Sequence, residues 1–176
     1  MLAAIADTVS ACAKLAETEF VAQDATRSEA DFLYKAIETA IAAGASTITV
    51  LDSAGNMLSE EFYGFITGLF EAVPALKNVT LGVGCADTLA MADSCVIAAV
   101  KAGAGEIKAS VYPQDCADFS NVAKIIIAKG DNLKAKTNVN ATKLSRIVEQ
   151  IQQMCRGDRN KQVSLLHALI ILSSCC

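Results

Sequence analysis

The sequence predicts an α/β fold of four consecutive βα units, equivalent to half of a (β/α)8 barrel or to a small open parallel sheet. Three observations carry that prediction. Short apolar runs alternate with segments whose apolar residues recur every three or four positions, which is the mark of strand–helix–strand units with parallel strands. A helix–Ala-Gly-Ala–strand pattern occurs twice, over Ala36 to Ile48 and again over Cys95 to Ile107. The chain of 176 residues is long enough to bury a core, yet short of the ~250 residues of a complete barrel.

Taken in order, Leu2 to Leu15 reads as a helix with Ile5, Val9, Cys12 and Leu15 on one face. Thr18 to Ala22 is the first strand. Ser28 stands as an N-cap with Asp31 at the N3 position. The helix that follows runs to about Ala43, buries Phe32, Leu33, Ala36, Ile37, Ala40 and Ile41, and ends at Gly44, a residue suited to the C-terminal cap. Thr47 to Leu51 is the second strand and ends at Asp52-Ser53-Ala54-Gly55. Ser59 is expected to cap a third helix, with Glu60 and Glu61 at the positive end of its dipole, and Pro74 closes it. Thr80 to Val83 is the third strand, broken at Gly84-Cys85-Ala86-Asp87. Its helix carries Leu89, Met91, Ala92, Cys95, Val96, Ala99 and Val100 on the periodic face.

Glu106 to Val111 is the fourth strand, ending near Tyr112 to Asp115. Further helices are expected from Phe119 to Lys129, where Gly130-Asp131-Asn132 breaks the pattern, and from Asn140 to Met154. These complete a domain over residues 1–154. Residues 155–176 form a tail with a polar start and an apolar stretch from Val163 to Cys176. That stretch reads either as a short helix covering an exposed sheet edge or as a segment that packs nowhere.

Composition narrows the function classes. The chain is 53% apolar and 19% charged, too hydrophobic for a disordered protein. A net charge of −4 and a pI near 5.0 argue against nucleic acid, which requires a basic face. Seven Cys and one His give no C-x-x-C and no zinc-ligand spacing, so reduced thiols are expected. The N-terminus lacks a basic stretch and carries Asp7, and the longest apolar run is shorter than the ~20 residues that span a bilayer. A soluble, cytoplasmic protein without a membrane partner is expected.

Parallel βα sheets bind ligands at the carboxyl ends of their strands. Asp24, Asp52, Asp87 and Asp115 each follow a strand, so folding brings them to one rim. They read either as a carboxylate cluster for a hard cation or as helix caps and turn formers. Ser53 reads as a carboxylate-binding hydroxyl or as an ordinary turn residue. Cys85 precedes a helix N-terminus, where thiols are activated, but no base stands beside it, which favours a small packed hydrophobe. His167, the one histidine, lies in the tail. Arg156-Gly-Asp158 and Cys175-Cys176 are read as chance matches to an integrin tripeptide and a prenylation ending.

Several segments together resemble one family. Glu19-Phe-Val-Ala-Gln-Asp-Ala-Thr-Arg-Ser28 with Asp31-Phe-Leu33 resembles the fifth-strand segment of the α-isopropylmalate, homocitrate and citramalate synthases, relatives of 3-hydroxy-3-methylglutaryl-CoA lyase. Ala42 to Gly55 is similar to their sixth strand, and Leu81 to Asp87 with Ala99 to Ala104 looks like their seventh strand and helix. The resemblance covers about Glu17 to Met154. It implies a TIM barrel that binds Mg or Mn and condenses a 2-oxo acid with an acyl-CoA by a Claisen-type step, the metal polarising the oxo-acid carbonyl. It further implies that this chain corresponds to the C-terminal half of that barrel only.

Carried over by position, the family's His-x-His metal pair falls on Gly84 and Ala86. Its eighth-strand Gly-Glu-Arg-x-Gly-Asn falls near Gln114 to Phe119, where neither the Arg nor the Asn is kept. Asp24, Thr26 and Arg27 match the family's Asp-Ala-x-Arg turn, Ser53 replaces a Thr that holds the substrate carboxylate, and Asp52 and Gly55 are retained. The expectation is therefore a residual substrate site at Asp24, Arg27, Asp52 and Ser53, with no catalytic residue, no metal ligand and no cofactor in this chain. A 2-oxo acid or acyl-CoA is the expected small-molecule partner. Whether the protein is an enzyme stays open between a degenerate acyltransferase, inactive by itself, and a binding or assembly half-barrel. The latter would pair with a second copy or with a separate N-terminal half.

Overall fold

The computed structural model describes residues 1–111, 115–156, 167–171 and 173–174. The helices are α1 (Leu2–Ala13), α2 (Ala30–Ala42), α3 (Ser59–Ala72), α4 (Ala92–Ala102), α5 (Phe119–Leu133) and α6 (Ala141–Arg156). The strands are β1 (Glu19–Ala22), β2 (Thr47–Asp52), β3 (Thr80–Cys85), β4 (Glu106–Ser110), β5 (Ala135–Lys136), β6 (His167–Ile171) and β7 (Ser173–Ser174). The first four strands pair in parallel in the order β1-β2-β3-β4. They form an arc of a barrel, with the βα alternation that the sequence predicts.

Strand periodicity sorts the side chains. Ile48, Val50, Leu81, Val83, Ile107 and Ala109 are buried on the face that meets the helices. Against them pack Leu33 and Ile37 of α2, Phe62, Ile66 and Leu69 of α3, Val96 and Ala99 of α4, and Val122 and Ile126 of α5. Each of the larger of these side chains contributes roughly 1.5–3 kcal/mol on burial. The alternate strand positions, Glu19, Val21, Thr49, Leu51, Gly82, Gly84, Glu106 and Lys108, belong to the concave inner face. That face is rich in polar groups and glycine.

Local details depart from the expectations in instructive ways. Cys12 and Leu15 do not share the buried face of α1: Leu15 lies beyond its end, and Val9 is the residue that buries. Phe32 is exposed to 41%, so the α2 stripe begins at Leu33. Ser28 and Ser59 are not N-caps. Ser28 ends a 3-10 turn over Ala25–Arg27, donating its hydroxyl to the Asp24 carbonyl oxygen, and the α2 cap is Glu29. At α3 the cap is Leu58, whose N–H donates to Glu61 Oε2 at 2.8 Å. Leu89 stays outside α4 and half exposed.

Helix α5 runs straight through Gly130-Asp131-Asn132 to Leu133 and stops at Lys134 with φ +51°. Gly130 is needed there for closeness: a Cβ on it would lie 2.5 Å from the Ala135 carbonyl oxygen. The glycine marks an approach of chain to helix, where the sequence alone suggested a stop.

The fourth strand's end falls partly on residues 112–114, outside the described residues, as does most of the tail. Within the tail, His167–Ile171 forms neither of the expected alternatives. It is a strand, β6, paired antiparallel along the whole of β4 from Glu106↔Ile171 to Ser110↔His167. An apolar run with β-branched isoleucines suits an extended partner, and the edge of β4 supplies one. Among the described residues no helix is long and apolar enough to cross a membrane.

Candidate functional site

The carboxyl ends of the four parallel strands lie side by side, and hydrogen bonds lace them together. Ala86 N–H donates to the Asp52 carbonyl oxygen (2.9 Å) and Asp87 N–H to that of Asp115 (2.9 Å). Thr88 Oγ1 donates to the Ala54 carbonyl oxygen (2.8 Å). Gly55, at φ +60°, turns where any Cβ would run into the Ala86 carbonyl oxygen.

The four residues carried over from the family meet here. Asp24 adopts φ +57° after β1, which points its N–H at Ser53 Oγ (3.1 Å). Its carboxylate takes both arms of Arg27, Nε at 2.9 Å and Nη2 at 2.7 Å. The guanidinium beside it holds the Asp24 carboxyl below its ordinary value, and Asp24 in turn raises Arg27. Thr26 Oγ1 donates to Asp52 Oδ1 at 2.9 Å. Asp52 is 1% exposed, and among the described residues its Oδ2 has no hydrogen-bond donor. Arg27 is thus committed to its neighbour, while Asp52 and Ser53 reach the space between the strand ends.

That space is a cavity of about 130 Å³ lined by Leu51, Asp52, Ser53, Ala86, Lys108, Asp115 and their neighbours. Of the four rim carboxylates, Asp87 fits the capping reading, since its Oδ1 accepts Ala92 N–H at 2.9 Å. Asp52 does not, because it caps no helix: its buried carboxylate accepts from the Thr26 hydroxyl.

Below the cavity, the inner face carries a polar bar that sequence reasoning missed. Lys108 Nζ contacts Glu106 Oε1 on its own strand and reaches Glu19 Oε1 of β1 at 2.7 Å. Thr49 Oγ1 donates to the same Glu19 oxygen. The bar passes over Gly82, whose missing Cβ would collide with Thr49 Oγ1. Burial alone would raise Glu19, but the hydrogen bonds from Lys108 and Thr49 outweigh it and hold the carboxyl below its ordinary value. Burial likewise opposes the charge on Lys108, and its two carboxylate partners raise it nonetheless. The one available signal was the polar alternation Glu106, Lys108 along an otherwise apolar strand.

A divalent metal of the kind the family uses does not fit these residues. Gly84 and Ala86, the positions onto which the resemblance carries the His-x-His pair, have no ligating side chain. The room is also gone: a Cβ on Gly84 would lie 2.8 Å from Leu51 Cδ2 and 3.2 Å from Lys108 Cβ. Among the described residues no three His, Cys, Asp or Glu side chains group to hold a metal. Cys85 is buried, and burial, with Cys95 and Asp52 adding to it, pushes its thiol far up. It packs as a small hydrophobe, in surroundings that disfavour the thiolate a nucleophile needs. Cys95, also raised by burial, donates to the Met57 carbonyl oxygen.

The HMGL-like family profile matches residues 2–151. The 2-isopropylmalate synthase of Shewanella amazonensis is 35% identical over 144 residues, covering 79% of this chain and 27% of that protein. The one from Carboxydothermus hydrogenoformans is 41% identical over 96 residues, 54% of this chain and 19% of that protein. The chain thus spans about a quarter of the length of such relatives. Among solved structures, an HMG-CoA lyase from Acinetobacter baumannii, in complex with coenzyme A and 3-methylmalate, superposes with a TM-score of 0.68 at 12% identity, covering 93% of this chain and 60% of that one. The carboxyl transferase domain of Rhizobium etli pyruvate carboxylase, with oxalate, gives 0.64 at 17% identity over 85% of this chain and 26% of that one. These structures show the fold, a partial TIM barrel, and the profile shows that this chain belongs to the HMGL-like family.

Proposed function

We propose that this chain is a binding half-barrel derived from an acyl-CoA:2-oxo acid acyltransferase, and that by itself it does not carry out the metal-dependent condensation. The observation that carries this reading is the replacement of both inward metal-ligand positions by Gly84 and Ala86, with Leu51 and Lys108 filling the space a ligand side chain would need. What remains is the cavity at the strand ends with Asp52, Ser53 and Asp115 on its wall. A pocket of this kind holds a small polar molecule without supplying a Lewis acid.

The deciding experiment is thiol release from acetyl-CoA in the presence of pyruvate or 2-oxoisovalerate and Mn²⁺. The rate with the chain present is expected to equal the protein-free rate. Sustained turnover proportional to protein concentration overturns the reading.

A second reading, assembly, is favoured by the edge of β1. Among the described residues that strand pairs only with β2, so its other edge offers backbone groups to another strand. A second copy, or a complementary half-barrel, would complete it. Light scattering after size exclusion tests self-pairing directly: a dimer supports it, and a strict monomer up to high concentration removes the second copy as the partner.

A further inference from the structure

We propose that the outer edge of β1 and the underside of α1 form a slot for one β-strand of another polypeptide, which enters parallel to β1 and carries no helix directly behind it. This rests on the assembly reading and names the partner: an open strand of a complementary chain, in place of a second copy of this one.

The edge is the first support. The Thr18 carbonyl oxygen accepts from Thr47 N–H at 3.4 Å, and the register Phe20↔Ile48 continues that pairing towards β2. Successive residues of a strand turn their backbone groups to opposite sides. Glu19 and Val21 therefore present their N–H and C=O outwards, and among the described residues no strand meets them. Such an edge is a template for an added strand. Val21 is 46% exposed, an apolar side chain left open on its outer flank.

Helix α1 supplies the second, independent support. Helix α2 covers β1 and β2, and α1 packs against α2 without a comparable contact to α3 or to any strand. It therefore lies on the β1 side of α2, past the edge of the sheet. Over 12 residues α1 buries only Val9, whereas α4, with 11, buries five. Leu2 and Ile5 share the Val9 face at helical spacing and are only partly covered. A strand laid along β1 would pass beneath that face and cover it with alternate apolar side chains. Strand–helix–strand units run parallel, which sets its direction.

The same elements decide against a second copy. Its parallel partner for β1 would be β4, and β6 already occupies the outer edge of β4 from Glu106 to Ser110. Helix α5 follows β4 and packs on it, so it would need the place that α1 holds. Two β1 edges related by a twofold axis meet antiparallel, and both α1 helices would then compete for one seam.

The test adds a probe to the full, isotopically labelled chain: a capped peptide of about eight residues alternating threonine and valine between terminal lysines, enough for a strand of ~5–6 residues. Amide exchange of Glu19 and Val21 is expected to slow at least tenfold at saturation, and that of Phe20, which already faces β2, to slow less. The signals of Ile5 and Val9 are expected to shift as α1 is covered. A spin label at the peptide's carboxyl end is expected to broaden Ala22 and Gln23 and to spare Thr18, which reports parallel entry. Val21→Pro, with its circular dichroism intact, is expected to weaken binding at least tenfold. A fully N-methylated peptide is expected to lose as much, and that comparison leaves the protein unaltered. The proposal is overturned by protection at another edge, by broadening at Thr18 in place of Ala22, or by undiminished binding of the N-methylated peptide. It is equally overturned by no saturable response, or by a dimer of the chain itself that protects β1. Protection elsewhere, or such a dimer, leaves the assembly reading in place, whereas no response together with a strict monomer in light scattering removes that reading as well.

Discussion

Lys108 contributes most of the inner face's electrostatics, and its replacement has a signed outcome. In Lys108→Met, Glu106, 6% exposed, loses its cation, and an unpartnered buried acceptor costs roughly 1–3 kcal/mol. The wild-type pair also fixes a pH window. Glu19 is held below its ordinary value, so its contribution is present above that value and lost as pH falls through the depressed one. Lys108 is raised, so its contribution is present below the ordinary lysine value and lost as pH climbs through the raised one. Urea unfolding at acidic and neutral pH is expected to show a steep acid-side loss in the wild type and a shallower one in Lys108→Met. Equal slopes would mean that the pair contributes nothing. Gly82→Ala tests the same bar from beneath: its Cβ would displace Thr49 from Glu19, and overpacking of this kind costs roughly 1–3 kcal/mol, read as a lower Tm with the α-helical signal intact.

At the scale of elements, two contacts lend themselves to measurement. Asp118 caps α5 by accepting Asn121 N–H at 2.8 Å, and Asp93 at the start of α4 accepts Asp118 N–H at 2.8 Å. Asp118→Ala is expected to cost about 1 kcal/mol, seen as a lower denaturant midpoint with unchanged slope. Strand β6 covers β4 from end to end. A chain ending at Arg156 would leave that edge bare, and bare edges pair with whatever strand is near. Faster amide exchange along β4 and concentration-dependent self-association are expected, and unchanged exchange would show that β6 does not protect it. The element scale is also where local sequence was most legible. Apolar periodicity located the helices and strands through Ser110 because each buries one stripe. It misplaced the ends where a tertiary contact decided them: Gly130 in α5 serves the close passage of Ala135, and Phe32 is left outside because the stripe of α2 turns away from it.

For the whole molecule, the family and the half-barrel architecture were legible because the strand-end motifs keep their spacing. Asp24, Arg27, Asp52 and Ser53 do come together at the first two strand ends, joined by Thr26 and by the Asp24 amide. The bar of Glu19, Thr49, Glu106 and Lys108 was not legible beyond the polar alternation within β4, since its Lys108–Glu19 pair joins strands that are not neighbours in the sheet. Nor did the sequence reveal that Leu51 and Lys108 close over Gly84. A consequence at this scale is that restoring one ligand does not restore a site. Gly84→His is expected to lower stability without conferring tight Mn²⁺ binding, as read by a thermal scan with and without the ion. A large Mn²⁺-dependent rise in Tm would contradict the geometry.

A closed barrel keeps its curvature because its first strand is hydrogen-bonded to its last. Among the described residues this arc has no such seam. The ion pair between Lys108 of the fourth strand and Glu19 of the first acts instead as a chord drawn across the hollow, bracing the two ends of the bow. A chord made of charge can be slackened by protons alone. As acid neutralises Glu19, the bow is free to flatten while its helices still hold their shape, so the molecule should widen in small-angle scattering at a pH where circular dichroism has not yet changed.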